Sequence, residues 1–134
     1  MFQLDPNDPT PLYAQLDRAI RAAIATGALA EGDRLPTVRQ LAVDLRVNAN
    51  TVARVYAELE RARILGTRRG VGTFVASPGV DPEVRRALRK RLDALGERYL
   101  ADALVLGFTA REAIAALEER LPTEGNRHGD HPNE

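Results

Sequence analysis

The chain has 134 residues, of which 44% are hydrophobic and 28% are charged, a composition ordinary for a soluble globular protein with one modest domain and a small appendage. It contains no cysteine, which excludes disulfides and thiolate metal sites, and no leader-like N-terminus or apolar run near the roughly 18 residues of a membrane span, so we expect a cytoplasmic protein. The nineteen basic and nineteen acidic residues cancel to a net charge of zero, so a nucleic-acid partner would have to be recognised by a local excess of charge.

The first 35 residues predict a short strand, a helix and a loop. Residues 2–4 alternate in polarity as a strand would, and three prolines then break the pattern. Residues 11–26 are predicted to form a helix that begins at Pro11 and ends before Gly27, with the apolar stripe Leu12, Leu16, Ala19, Ile20, Ala23 and Ile24. Tyr13 could serve as core packing, a dimer contact or a phosphate contact, and packing is favoured.

Residues 35–75 predict two short helices joined by a tight turn and followed by a hairpin. The apolar residues of the first helix recur at helical spacing: Val38, Leu41, Ala42 and Leu45. Asn48 can cap the second helix, because its side-chain oxygen can accept a hydrogen bond from the backbone N–H of Asn50 or Thr51. The second apolar stripe consists of Val52, Val55, Tyr56 and Leu59, which leaves the opposite face polar and partly basic.

The predicted hairpin carries arginine and glycine at its tip. Residues 65–68 and 73–75 alternate as strands do, and Arg68, Arg69 and Gly70 lie between them or beside them. Two arginines at a hairpin tip suit a wing that reaches phosphate or the minor groove. The segment from Arg34 to Arg69 holds eight arginines and three acidic residues, a net charge of +5, although such an excess is often only a solvated surface.

This order of elements predicts a mainly α fold with a small β-hairpin, a winged helix-turn-helix. Such a motif places the first turn of its second helix in the major groove of DNA, where Asn48, Asn50 and Thr51 could hydrogen-bond bases or phosphates. The alternative is a small three-helix unit with a surface hairpin and ordinary solvated charges.

The C-terminal part predicts a linker at residues 77–80, two helices within residues 81–122 and a tail. Asp81 caps the first of these helices with Pro82 at its first position, and residues 109–112 have the form of a capping box that starts the second. The second helix is expected to end at Pro122. Residues 123–134 have the composition of a disordered tail, in which His128 and His131 lack the further ligands of a metal site.

The two C-terminal helices bury too little apolar surface by themselves. Their apolar residues therefore need either the rest of the chain or a second subunit, and we expect a symmetric dimer formed by Leu88, Leu92, Leu95, Tyr99, Leu106, Ile114 and Leu117. Two DNA-binding heads at a fixed spacing suit an inverted repeat. The alternative is that these helices complete the core of a monomer.

Two segments of the chain resemble the winged helix-turn-helix of the GntR family of bacterial transcriptional regulators. They are PLYAQLDRAIRAAIATGALAEGDRLP and LPTVRQLAVDLRVNANTVARVYAELERARILGTRRGVGTFV. The motifs VNANTV and TRRGVGTFV and the short chain are most similar to its YtrA branch. The resemblance implies a DNA-binding domain over residues 1–76, a homodimer on an inverted-repeat operator, and repression of its own promoter and of nearby genes, often a transporter operon. It implies DNA contacts at Arg39, Asn48, Asn50, Thr51, Arg54, Arg68, Arg69 and Gly70.

Three positions depart from the family pattern. Arg46, Ala49 and Arg63 stand where the family commonly has Gly, Pro and Gly. A non-glycine residue at positive φ is strained by about 1 kcal/mol, so we expect strain at Arg46 and an altered bend after Arg63.

Other classes of function fit the sequence poorly. An enzyme needs a nucleophile, an acid–base pair or a metal, but cysteine is absent, histidine occurs only in the tail, and residues 70–72 are too short for a phosphate-binding loop. No cofactor is expected. A protein-interaction module, such as an antirepressor or adaptor, is the second alternative, and the wing arginines argue for DNA instead. The sequence shows no small-molecule effector site. An effector that binds in a small pocket at a dimer interface remains an alternative.

Overall fold

The computed structural model describes residues 2–77 and 81–122, so the predicted tail and its histidines lie outside the described residues. The chain divides into two compact units, Met1–Pro78 and Gly79–Glu134. The first unit contains α1 (Leu12–Thr26), α2 (Val38–Leu45), α3 (Ala49–Arg61), β1 (Leu65–Arg68) and β2 (Gly72–Val75). The second contains α4 (Pro82–Val105) and α5 (Ala110–Glu118). The prediction of a mainly α, winged helix-turn-helix fold is confirmed.

The helices of the first unit pack through the apolar stripes that the sequence predicts. Leu16 and Ile20 of α1 are buried, and so are Leu41 and Ala42 of α2. The α3 stripe is buried throughout, at Val52, Val55, Tyr56 and Leu59. Because burying one large aliphatic side chain stabilises a fold by about 1.5–3 kcal/mol, this packing fixes the orientation of α3 and leaves most of its polar residues exposed.

The turn between α2 and α3 is held by local hydrogen bonds. Thr37 and Gln40 form a capping box at the start of α2. The α2 helix ends at Leu45, and the residue that caps it, Arg46, has φ 57° and ψ 44°, so the expected positive φ is present. The Asn48 side chain accepts a hydrogen bond from the Asn50 backbone N–H at 2.8 Å, which confirms the predicted cap of α3.

The wing is tied to the core by a third stretch of extended chain. β1 and β2 are antiparallel, with Leu65 opposite Val75 and Arg68 opposite Gly72. The Leu35 N–H donates to the Thr73 carbonyl at 2.8 Å, and the Val75 N–H donates to the Asp33 carbonyl at 2.9 Å. Buried Leu35, Leu65 and Val75 anchor the base of the hairpin, which leaves residues 69–71 exposed.

The expected strand at residues 2–4 is not formed. Phe2 is buried in the core of the first unit, and the backbone that follows pairs with a side chain instead of a sheet. The Gln15 side chain accepts from the Asp5 N–H at 2.8 Å and donates to the Asp5 and Thr10 carbonyls. These bonds tie residues 5 and 10 to α1, which begins after Pro11.

The second unit is a pair of helices with well-defined starts. Asp81 caps α4 by accepting from the Glu83 N–H at 2.9 Å, and Thr109 and Glu112 form the predicted capping box of α5. Gly107, at φ 95°, lies between the helices. The α5 helix ends at Glu118, earlier than the expected end at Pro122.

Candidate nucleic-acid interface

The first turn of α3 presents short polar groups. Asn48, Ala49 and Asn50 are exposed and Thr51 is half-buried. The Asn48 side-chain oxygen is occupied by its cap, so its amide NH₂ is the group that remains for an outside partner. No hydrogen bond involves the Asn50 side chain within the described residues. Together these groups can meet base edges or phosphates without filling a groove.

The wing tip is basic and shaped by glycine. The Val71 N–H donates to the Arg68 carbonyl at 3.0 Å, with Gly70 at φ 80° inside this turn. The Arg68 guanidinium carbon lies 5.8 Å from the centroid of the Phe74 ring on the neighbouring strand, within the range of a cation–π contact. Arg69 is exposed and makes no ion pair with the part of the chain that the structure describes.

A contact behind the wing involves Arg34, a residue that the sequence did not single out for a role. Gly72 has φ 135°, and a Cβ at this position would lie 3.0 Å from the Arg34 Nε. The backbone conformation therefore favours glycine here, and a larger residue would also have to displace the Arg34 side chain slightly. The Gly-rich turn was visible in the sequence, but the partner of Gly72 is set by the pairing of residues 33–35 with β2.

Arg54 is held by two neighbours. Its Nε lies 3.3 Å from a Glu58 carboxylate oxygen, and its guanidinium carbon lies 4.0 Å from the centroid of the Tyr13 ring. The Arg54–Glu58 pair follows from i,i+4 spacing and could have been predicted, whereas the Tyr13 contact depends on how α1 packs against α3. Arg39, in α2, is exposed and has no ion pair among the described residues.

Tyr56 holds α3 both by the burial of its ring and by a hydrogen bond. Its hydroxyl donates to the Pro36 carbonyl at 2.6 Å, which ties α3 to the loop before α2. Burial raises the pKa of Tyr56 to about 12, so the hydroxyl keeps its proton and remains a donor at neutral pH. The sequence indicated the burial of this ring but not its hydrogen bond.

All eight predicted DNA contacts lie in the first unit, and seven of them are exposed while Thr51 is half-buried. Asn48, Asn50, Thr51 and Arg54 are brought together at the start of α3, and Arg68, Arg69 and Gly70 at the wing tip. The predicted dimer residues lie in the second unit. Six of them are between 43% and 74% exposed: Leu88, Leu92, Leu95, Leu106, Ile114 and Leu117. Tyr99 is half-buried, and its hydroxyl donates to the Ala113 carbonyl at 2.7 Å, so it also joins α4 to α5.

Two other kinds of site are not found among the described residues. No group of three or more histidine, aspartate or glutamate side chains there could hold a metal ion. None of the helices described is both long enough and apolar enough to cross a membrane.

A helix-turn-helix followed by a basic wing defines the class of winged-helix DNA-binding proteins. The family described as bacterial regulatory proteins, gntR family, matches residues 12–75. The HTH-type transcriptional regulator Rv1152 of Mycobacterium tuberculosis is 40% identical over 116 residues, which cover 87% of this chain and 90% of that protein. The chain belongs to the GntR family of bacterial transcriptional regulators.

Two further comparisons refine this assignment. The HTH-type transcriptional repressor YtrA of Bacillus subtilis is 42% identical over 76 residues, 57% of this chain and 58% of that protein. A GntR family transcriptional regulator from Listeria monocytogenes has a similar structure, with a TM-score of 0.57 and 32% identity over 84% of this chain and 97% of that one. Within the family the chain falls in the YtrA subfamily, and it is a transcriptional regulator with a DNA-binding winged helix and not an enzyme.

Proposed function

We propose that the protein is a homodimeric cytoplasmic repressor that binds an inverted-repeat operator in its own promoter and in that of a transporter operon. The observation that carries this proposal is the exposed start of α3, with Asn48, Asn50 and Thr51, in the same unit as a wing tip that bears Arg68 and Arg69. The printed name of the Bacillus subtilis relative supports repression.

The side chains divide by the kind of contact that they can make. Asn50 and Thr51 read base edges, because their short polar groups at the start of α3 fit the major groove. Four arginines neutralise backbone phosphate or reach the minor groove: Arg39, Arg54, Arg68 and Arg69. Asn48 fixes the first turn of α3 through its cap, and Gly70 lets the wing backbone approach the DNA closely.

The second unit supplies the dimer in this proposal. Residues 1–76 form the DNA-binding domain and residues 81–122 the dimerisation region. The seven predicted dimer residues, from Leu88 to Leu117, form what we call the apolar seam. Six of them are exposed within a single chain, and groups of exposed apolar residues of this kind mark interaction surfaces. A symmetric pair of such seams holds two DNA-binding domains at the fixed spacing that an inverted repeat requires.

Binding of the purified protein to its own upstream DNA tests the proposal. Fluorescence anisotropy is measured between about 50 and 200 mM salt, with scrambled DNA as competitor. We expect tight binding that resists the competitor, with two chains bound to each site. Weak and equal binding to both DNAs would contradict it, and so would a stoichiometry of one chain per site.

A further inference from the structure

We infer that Tyr13 is a positioning residue for DNA binding: its ring holds the Arg54 guanidinium in the orientation in which it contacts a backbone phosphate. This inference rests on the proposed role of Arg54 as a DNA contact. It assigns to α1 a part in recognition through the side chain that its first turn places beside α3.

The contact has the geometry of a cation–π interaction. The Arg54 guanidinium carbon lies 4.0 Å from the Tyr13 ring centroid, well within the range of about 6 Å in which such attraction acts. Tyr13 is itself half-buried, and its ring is therefore a fixed platform. The Arg54 side chain is 57% exposed, so it can still meet a partner from outside the protein.

Glu58 completes the arrangement. It lies 3.3 Å from the Arg54 Nε, which occupies one of the five N–H donors of the guanidinium. The four N–H groups on the two terminal nitrogens donate no hydrogen bond within the described residues. The guanidinium thus lies over an aromatic ring with one donor engaged, while the two terminal nitrogens, which bind phosphate in a bidentate manner, stay open.

The neighbouring charges do not compete for Arg54. The shallow surface around Tyr13 is lined by Ala14, Asp17, Arg18, Arg21 and Glu58. Asp17 is engaged by Arg21 at 2.7 Å, which leaves Glu58 as the acidic partner of Arg54. A long arginine side chain loses rotamer freedom when it binds a phosphate. This loss of entropy is smaller if the Tyr13 ring already restricts the Arg54 side chain in the free protein. Tyr13 should therefore act on DNA affinity only through Arg54.

A double-mutant cycle tests this inference with the full chain. Affinity for the operator and for scrambled DNA is measured for the wild type, Tyr13→Leu, Arg54→Ala and the double variant. Tyr13→Leu should weaken binding to both DNAs by about twofold to fivefold, because a phosphate contact is independent of sequence. In the Arg54→Ala background the same change should have no effect. Tyr13→Phe keeps the ring and loses the hydroxyl, so it should bind as the wild type does.

Several outcomes would overturn the inference. One is an equal loss of affinity on Tyr13→Leu with and without Arg54; another is a Tyr13→Phe variant as weak as Tyr13→Leu, which would make the hydroxyl the contact. Thermal melting establishes that each variant is folded, and Tyr13→Met replaces Tyr13→Leu if the latter is not. A wild type that prefers neither DNA would contradict only the proposed operator function, because the coupling between Tyr13 and Arg54 can still be measured on scrambled DNA. A wild type that binds no DNA would defeat both.

Discussion

Substitutions of the single residues Asn50 and Arg69 should change DNA binding in different ways. Asn50→Ala removes a base contact, so it should reduce discrimination between operator and scrambled DNA by about 1–3 kcal/mol. Arg69→Ala removes a phosphate contact, so it should weaken binding to both DNAs and lower the salt slope by about 1. Anisotropy titrations at several salt concentrations separate the two effects. An Asn50→Ala variant with an unchanged affinity ratio would show that another residue reads the bases.

Arg63 offers a test of backbone strain. It has φ 62°, in the left-handed region that costs a non-glycine residue about 1–2 kcal/mol. Glycine loses about 0.5–1 kcal/mol more conformational entropy on folding, so Arg63→Gly should raise the free energy of unfolding by roughly 0.5–1 kcal/mol.

Urea denaturation followed by circular dichroism measures this change. The matched control is Arg61→Gly, at the last residue of α3, where glycine should lower the free energy of unfolding by roughly 0.5–1 kcal/mol. If Arg63→Gly destabilises the protein as much as the control does, then the positive φ of Arg63 carries no strain.

The sequence predicts contacts between neighbouring residues better than contacts between residues that are far apart in the chain. The Asn48 cap is local and was predicted from neighbouring residues. The positive φ of Arg46 was expected from the resemblance to a family that commonly has Gly at this position. The contact of Tyr13 with Arg54 and the hydrogen bond of Tyr56 to Pro36 join distant parts of the chain. No spacing rule reports such pairs, because they depend on how helices pack.

At the scale of elements, the start of α5 should respond to pH. Glu112 accepts a hydrogen bond from the Thr109 backbone N–H at 3.0 Å, and this bond holds the pKa of Glu112 below its ordinary value of 4.5. A depressed pKa means that the cap contributes fully above about 4.5 and is lost as pH falls through the lower, folded value. We therefore expect α5 to fray only in acid.

Nuclear magnetic resonance can follow this titration at one atom. The Thr109 amide proton should shift with a midpoint below 4.5, and in Glu112→Gln, which keeps an acceptor oxygen but cannot titrate, the shift should disappear. A midpoint at or above 4.5 would mean that the capping box is not formed in solution.

Periodicity predicted the helices well and the extended segments less well. The α3 stripe repeats over a whole helix, so its burial was predicted in full. Residues 2–4 were expected to be a strand and are not, while residues 33–35 pair with β2 and were assigned to a loop. Three residues carry too little periodic signal to identify a strand, and whether they pair is decided by the edge that the rest of the fold offers.

At the scale of the whole molecule, affinity for an operator depends on joining two DNA-binding domains. A single winged helix makes one set of contacts, and linking two of them converts the second binding event into an intramolecular one, which can raise affinity by about 10²–10⁴. The proposed dimer therefore predicts that oligomeric state and operator affinity change together. Leu92 and Leu95 lie in the middle of the α4 seam and are 60% and 65% exposed.

The double substitution Leu92→Glu with Leu95→Glu places two carboxylates in the proposed interface. It should convert the protein to a monomer, because an unpaired buried charge costs far more than the apolar contact it replaces. Sedimentation equilibrium measures the oligomeric state of the double variant, and we expect the mass of a single chain. Anisotropy should show a larger loss of affinity for the operator than for scrambled DNA. Ala94→Glu is the control: this exposed residue lies on α4 between the two leucines but points away from the seam, so it should leave the dimer intact. A double variant that remains dimeric would place the interface elsewhere on the chain.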